Sequence, residues 1–428
     1  MKNKNIIVNN NEYEIVVIGL GYVGLTYALY INTLGFNVLA IEKNKETIKK
    51  VNSGSLPFFE EGLEMVMNNS INQKLIKAYT PSNFRKIKSD LPKLYIISVG
   101  TPISSNNLLN TDPLDSVFDN LKSVINTNDG IIFRSTVKIG FSRKYCESLN
   151  KKIFYCFAPE RTIEGKAIKE LSTLPQVYGA NYSSDKNFFK DFFMQVSNEI
   201  VQLSKTESAE LVKLTSNVYR DVIFGFSNEI SLISYKNQIN PKEVINACNY
   251  KYPRCDIKSS GPVAGPCLSK DSYILGDSFK NIKSNSVIMN ARKLNEKYVL
   301  EILKDLIKNV KSASILGISF KGTPPTNDIR DSYAIKIINF LNSKKIKVSG
   351  YDPMVYQEDF EKLNLIRDNT LEQAFSNKDL IIIQNNNEIF KRMDLIKLSN
   401  LSNINSIILD LWTLHQNITL TNSKYIGL

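Results

Sequence analysis

The chain has 428 residues, 43% of them hydrophobic and 22% charged, enough for two or three domains with cores of their own and with no sign of disorder. Its net charge of +12 comes from lysines scattered singly and in pairs, without a dense basic block or interleaved aromatics. That argues against nucleic acid and a membrane surface, and reads as compositional bias that would also suit an anionic small-molecule substrate.

Five cysteines without a CxxC pair, and the single histidine His415, argue against a disulfide framework and a metal site and leave little room for Ser-His or Cys-His catalysis. The opening stretch MKNKNIIVNNNEYE carries no apolar h-region, and no apolar run approaches the ~18 residues of a membrane span. A cytosolic protein with reduced thiols is expected.

In chain order, EIVVIGLGYVGL (14–25) is an apolar strand that breaks into Gly19-Leu-Gly21-Tyr22-Val23-Gly24, and a helix and a second strand, NVLAIE, follow, ending in Glu42. Strand, glycine turn, helix, strand and acid form the dinucleotide fingerprint. Gly19 permits the tight turn, Gly21 admits a pyrophosphate close to the backbone, and Gly24 lets the helix lie on the strand. The helix N-terminus meets the phosphate charge. Glu42 would accept from ribose hydroxyls and repel a 2′-phosphate, which favours NAD over NADP. Further strands are expected at 94–100, 130–136 and 152–158, so the alternation is α/β and parallel.

Residues 206–235 hold no proline and a single glycine, with apolar positions recurring at three and four; they predict one long helix, with Thr206 or Ser208 as N-cap. Lys213 and Asn217, four apart, share a face. GPVAGPCLSKD (261–271) then crowds glycine and proline ahead of Cys267, with Lys270 and Asp271 after it. Such a loop admits both a reactive thiol beside a cation and a small apolar cysteine. A second α/β unit starts at SASILGISFKG (312–322) and continues with strands at 347–353, 379–384 and 406–412. It has no GxGxxG, so a nucleotide there needs another cation, and Lys321 stands at the strand end.

GLGYVGLT (19–26), GSLPFFEEGL (54–63), SVGTPI (98–103), RSTVKIG (134–140), APERTIEGKAIKEL (158–171), ELVKLTSNVYRDV (210–222), YPRCDIKSSGPVAGPCLSKDSY (252–273) and ILGISFKGTPPTNDIRDS (315–332) resemble, in this order, the UDP-glucose/GDP-mannose dehydrogenase family of nucleotide-sugar 6-dehydrogenases. The ERTIEG and YPR stretches are most similar to the branch acting on UDP-N-acetylmannosamine and related N-acetylated sugars. The resemblance implies two Rossmann-like doubly wound domains, 1–205 for NAD and 306–428 for the UDP-sugar, joined by a helical middle, 206–305, that carries the cysteine loop and the dimer contacts. It also implies a place in surface polysaccharide synthesis.

The same resemblance implies site residues. Gly19, Gly21, Tyr22, Val23, Gly24, Glu42, Thr101 and Thr136 would contact NAD, with Thr136 near the nicotinamide. Cys267 would attack the half-oxidised sugar, Lys213 and Asn217 would stabilise the oxyanion, Glu164 would handle the hydrolytic water, and Asp271 would orient Lys213 and water. Glu160, Arg161, Gly265, Lys321 and Arg330 would hold the UDP-sugar, and Arg254 would reach it from a neighbouring subunit, so a homodimer or higher oligomer is implied. Each position also has a structural reading: Lys213 paired with Glu210, Asn217 a surface amide, Glu164 a loop carboxylate beside Arg161 and Lys166, Thr136 and Asp271 in structural hydrogen bonds. The sequence departs from the family at Ala264, Ser269 and Gly100. An alanine at 264 would cost about 1 kcal/mol if that residue needs positive φ, and Ser269 would loosen the approach to Lys270. The substrate expected is UDP-N-acetylmannosamine, with UDP-glucose, a non-catalytic nucleotide-sugar binder and a simple hydroxyacid dehydrogenase as competing readings.

Overall fold

The computed structural model describes residues 4–87, 89–278, 286–416 and 418–428. They form two compact units, Met1–Ser216 with Tyr273–Ser278, and Asn217–Ser272 with Phe279–Leu428. The first unit holds a nine-stranded sheet. Its order is Ile76–Tyr79, Val38–Ile41, Asn11–Ile18, Lys93–Ile97, Gly130–Phe133, Phe154–Phe157, Gln176–Gly179, Ile200–Leu203, with Ile6–Val8 paired to Asn11–Ile18. The six strands from Ile76–Tyr79 to Phe154–Phe157 are parallel; the pairing of Phe157 with Gly179 and the Ile6–Val8 hairpin are antiparallel. Asn9 and Asn10 close that hairpin at φ 48° and 64°, the left-handed pair that a two-residue turn needs and that asparagine tolerates.

The apolar run that announced the first strand is buried on both faces. Ile15 and Val17 join Leu94, Ile96, Ile132 and Cys156 in one cluster, while Val16 and Ile18 join Tyr95, Ile97, Ile131 and Phe133 in the other. Alternate side chains of a parallel strand therefore serve two helix layers. The second unit repeats the plan with six parallel strands in the order Ile366–Arg367, Lys347–Tyr351, Ser312–Leu316, Leu380–Ile383, Ser406–Asp410, Ser423–Gly427. Ala313, Ile315, Leu380 and Ile382 face one cluster and Leu316, Ile381 and Ile383 the other. Each fully buried Ile or Leu contributes roughly 1.5–3 kcal/mol.

The predicted long helix runs Thr206–Lys236. Its cap differs from the expectation. Thr206 and Ser208 lie inside the first turn, and the capping oxygen is Oδ1 of Asn181, which accepts from Thr206 N at 3.0 Å. Within the second unit this helix lies against Val287–Leu306 through a buried polar ladder. Asn228 Nδ2 donates to Asn295 Oδ1 at 2.9 Å, the Ser231 and Tyr298 hydroxyls share a bond of 3.0 Å, and Arg292 pairs with Asp221 at 3.1 Å. Gly225 permits the approach: a methyl there would lie 2.8 Å from the Ala291 Cβ. Among the described residues no helix is long and apolar enough to cross a membrane.

Candidate active site

A cleft of ≈ 650 Å³ opens at the glycine turn of the first sheet, lined by Gly19, Gly21, Glu42, Ser98 and Gly100 on its polar side and by Ile41, Phe84, Val117 and Leu121 on its apolar side. The three glycines differ in what they exclude. Gly19 has φ +91°, a Cβ on Gly24 would sit 1.9 Å from the Gly19 carbonyl oxygen, and a Cβ on Gly21 would meet nothing of the protein within 4 Å. Helix Tyr22–Thr33 starts immediately after Gly21 with no side-chain cap. Val23 and Gly24 thus stand in a first turn whose N–H groups lack intrahelical acceptors and suit an anion. Glu42 Oε2 accepts from Leu20 N at 2.8 Å, and Oε1 from Lys43 N and Asn44 N at 2.8 and 2.9 Å. The turn, the uncapped helix end and the half-buried acid fit a dinucleotide. Thr101 is buried, and its hydroxyl donates to the Thr136 carbonyl at 2.7 Å, fixing the ends of two neighbouring strand segments.

The loop after strand Phe154–Phe157 carries Glu160, Arg161 and Glu164. Glu160 is buried; its Oε2 pairs with Arg134 at 2.5 Å and its Oε1 accepts from Arg161 N and Thr162 N, both at 2.8 Å. Burial alone would raise its pKa, but the Arg134 guanidinium, the Thr162 N–H and Lys213 hold it below the usual carboxylate value. Glu160, expected among the substrate contacts, has both carboxylate oxygens bonded within the protein. Arg161 is exposed and donates to Pro175 O at 2.8 Å, and Glu164 is half-buried. Lys213 Nζ donates to Glu160 O at 2.5 Å. The competing pairing of Lys213 with Glu210 does not occur: Glu210 is fully buried and accepts from Gly140 N, Ser142 N and Ser142 Oγ.

In the second unit Cys267 is exposed and directly precedes helix Leu268–Gly276, its carbonyl accepting from Asp271 N at 3.0 Å. The thiol therefore occupies a helix N-terminus, where the partial positive charge favours an anion. Buried groups pin its loop. Arg292 donates to Leu268 O at 2.7 Å, Asn228 exchanges bonds of 2.9 and 3.0 Å with Gly261, and Gly265 N donates to Asp331 O at 3.0 Å. Gly261 and Gly265 hold φ +156° and +93°, and their missing Cβ atoms would strike the rings of Trp412 and Phe320 at 2.9 and 2.5 Å.

Two expectations about this loop need correction. Ala264 is not among the positive-φ residues, so the anticipated strain does not arise. Ser269 does not loosen the chain, since its hydroxyl donates to Asp331 Oδ2 at 3.1 Å. Asn217 Nδ2 donates to Asp271 Oδ2 at 2.6 Å, which brings two predicted residues together. The other oxygen of Asp271 is buried and has no hydrogen-bond partner among the described residues, an acceptor left for a donor from outside.

Two further predicted positions, Lys321 and Arg330, flank residues that touch the cysteine loop: Gly265 abuts the Phe320 ring and its N–H donates to Asp331 O. Lys321 is half-buried with Nζ 5.3 Å from the Phe320 ring centre, Arg330 is exposed and pairs with Asp328 at 2.5 Å, and Arg254 is exposed, its Nε donating to the Tyr252 hydroxyl at 3.0 Å. Sequence reasoning missed Arg134, Arg292 and Glu60. Arg134 directly follows the apolar strand Gly130–Phe133 and stacks on the Tyr27 ring at 4.0 Å. Arg292 shares the buried stripe of its helix with Asn295, Tyr298 and Val299. An arginine on an apolar stripe was the available signal.

Family comparison matches residues 13–197 to the NAD binding domain, 207–297 to the central domain and 314–417 to the UDP binding domain of the UDP-glucose/GDP-mannose dehydrogenase family. The chain belongs to that family. It is an NAD-dependent UDP-sugar dehydrogenase. It is 30% identical over 409 residues to the UDP-N-acetyl-D-mannosamine dehydrogenase of Methanocaldococcus jannaschii, covering 93% of this chain and 91% of that one. The NDP-N-acetyl-D-galactosaminuronic acid dehydrogenase of Ralstonia nicotianae is 24% identical, covering 90% and 93%. The solved UDP-D-ManNAc dehydrogenase of Pyrococcus horikoshii superposes with TM-score 0.86 at 26% identity, covering 97% of this chain and 98% of that one.

Proposed function

We propose that this dehydrogenase oxidises the C6 hydroxymethyl group of a UDP-N-acetylhexosamine, UDP-N-acetylmannosamine first, to the carboxylate through a covalent intermediate on Cys267. The observation that carries the reading is the exposed Cys267 thiol at a helix N-terminus, on a loop fixed by Arg292 and two aromatic rings. The choice of sugar is supported by the mannosamine-acting relatives, which cover nearly the whole chain.

NAD supplies two hydride acceptances, one per molecule bound. An aldehyde has no second hydride to give until a nucleophile adds to its carbonyl. Attack by the Cys267 thiolate gives a thiohemiacetal whose C–H can leave as hydride, and the resulting thioester is hydrolysed by water. Lys213 and the Asn217 amide act as donors to the oxyanion, with Asp271 fixing Asn217. Glu164 takes the proton of the attacking water, and Lys321 and Arg330 meet the nucleotide charge. In this reading 1–205, 206–305 and 306–428 are the cofactor, central and nucleotide-sugar segments. The exposed Tyr219, Phe226 and Ile233, spaced by seven along the long helix, support pairing with a second copy, to which Arg254 would contribute.

The test counts NADH per sugar over a panel of UDP-sugars. Two equivalents, with UDP-N-acetylmannosamine turned over fastest and acid formation abolished in Cys267→Ala, are expected. One equivalent with release of aldehyde, or an unchanged rate in Cys267→Ala, overturns the thioester route; a preference for UDP-glucose overturns the sugar.

A further inference from the structure

Residues 160–167 are held by their own backbone N–H groups on three carboxylates. Arg161 and Thr162 donate to Glu160 Oε1, Ile163 donates to Glu170 Oε2 at 2.7 Å, and Gly165 and Ala167 donate to Oε2 and Oε1 of Glu60, each at 2.6 Å. Glu60 is 3% exposed and lies about a hundred residues earlier in the chain. Two donors diverging from positions 165 and 167 need two acceptor oxygens, and an ionised carboxylate is the one side chain that offers them without a competing donor. Gly165, at φ +92°, also donates to the Tyr22 hydroxyl at 2.8 Å, and the Tyr22 ring lies 4.8 Å from that of Phe58. The residue between these anchors is Glu164.

We infer that Glu60 is a positioning residue for Glu164, registering the water-handling loop against the glycine turn of the cofactor cleft through Tyr22. The inference rests on the thioester reading above. In that step the oxygen of water bonds to the acyl carbon, the C–S bond breaks with its electron pair returning to the Cys267 sulfur, and Glu164 takes the proton of water; no oxidant is needed. Glu60 touches none of these atoms. It sets where the Glu164 backbone stands.

Glu60→Gln turns an amide NH₂ toward one of the two N–H donors, displacing the loop while the cleft and thiol remain. The expected signature is kinetic: a rapid burst of two NADH per site is retained, steady-state kcat falls by about tenfold or more, KM for the UDP-sugar changes little, and quenched samples show the acyl adduct on Cys267. Glu60→Asp, which keeps the charge but retracts it by one methylene, restores part of kcat. A purely structural role for Glu60 predicts instead a smaller burst and a lower Tm without adduct, and that result overturns the inference. If Glu60→Gln does not fold, Tyr22→Phe removes one acceptor from Gly165 N and should give a weaker version of the same adduct build-up; its absence counts equally against the idea. Wild-type enzyme that yields two NADH and loses the second in Cys267→Ala, beside a Glu60→Gln enzyme that never accumulates adduct, would sink the positioning role alone. Wild-type enzyme that shows no adduct in slowed turnover removes the thioester reading and this inference with it.

Discussion

Gly19 in the first sheet and Gly317 in the second both have positive φ, +91° and +93°, and donate their N–H groups at 2.8 Å to Ile41 O and Tyr351 O at the end of the next strand. An acid follows each of those strands: Glu42 accepts from Leu20 N at 2.8 Å, and Asp352 accepts from Ile318 N at 2.7 Å. From there the two halves diverge. The first enters its helix at Tyr22, directly after the turn, whereas the second runs through residues 319–331 before Ser332 caps helix Tyr333–Ser343. Asp352, 1% exposed, is further occupied by Ser319 N and Ser319 Oγ, while Glu42 lines an open cleft. One turn geometry therefore opens onto an uncapped helix N-terminus, suited to an anion, in one half, and is tied off by a buried acid and Ser319 in the other.

The comparison is broken most severely at the glycines. Gly24→Ala should lose both NAD binding and stability, since relieving a 1.9 Å contact with backbone costs about 1–3 kcal/mol or more. Gly21→Ala should leave Tm unchanged and weaken NAD by about tenfold or more, because its methyl points only into the cleft. Fluorescence titration with NAD beside thermal melts separates the two, and a Gly21→Ala enzyme with full NAD affinity would show that the pyrophosphate does not use that space. Next in size, Lys321→Ala should weaken UDP by about tenfold or more, as expected for loss of a charge-assisted contact worth roughly 1.5–3 kcal/mol, with NAD affinity unchanged by calorimetry; equal losses for both ligands would contradict the division of labour. The smallest effect concerns the acids. Glu42→Gln should lower the NAD-to-NADP preference several-fold, whereas Asp352→Asn should reduce unfolding free energy by about 1–3 kcal/mol and leave UDP affinity alone; chemical denaturation and paired cofactor titrations measure both.

The fold was legible because most parallel strands buried on both faces read as apolar runs, and the nine strands expected are present, including the more polar Lys347–Tyr351, expected from its place in the repeated α/β pattern. Six others were not: Ile6–Val8 has only three residues, and Ile76–Tyr79, Gln176–Gly179, Ile200–Leu203, Ile366–Arg367 and Ser423–Gly427 are short and carry polar residues. In the site, what local order dictates was visible: the glycine turn, Glu42, the Lys213–Asn217 spacing and the loop around Cys267. Groups that act across the chain were hidden. Glu60 meets Gly165 and Arg292 meets Leu268 only after folding, and no spacing rule links them. The helix end beneath Cys267 was also missed, because Ser269 and Lys270 read as loop residues whereas they form its first turn.

The close crossing at Gly225 has a mechanical corollary. Ala291, which would receive a methyl added at 225, is followed in the chain by Arg292, whose guanidinium grips the carbonyls of Leu268 and, at 3.4 Å, Val263 on either side of the thiol. A chemically silent spot in a helix crossing thus behaves as a set-screw for the mount of Cys267, and bulk introduced there would shift that loop from a distance.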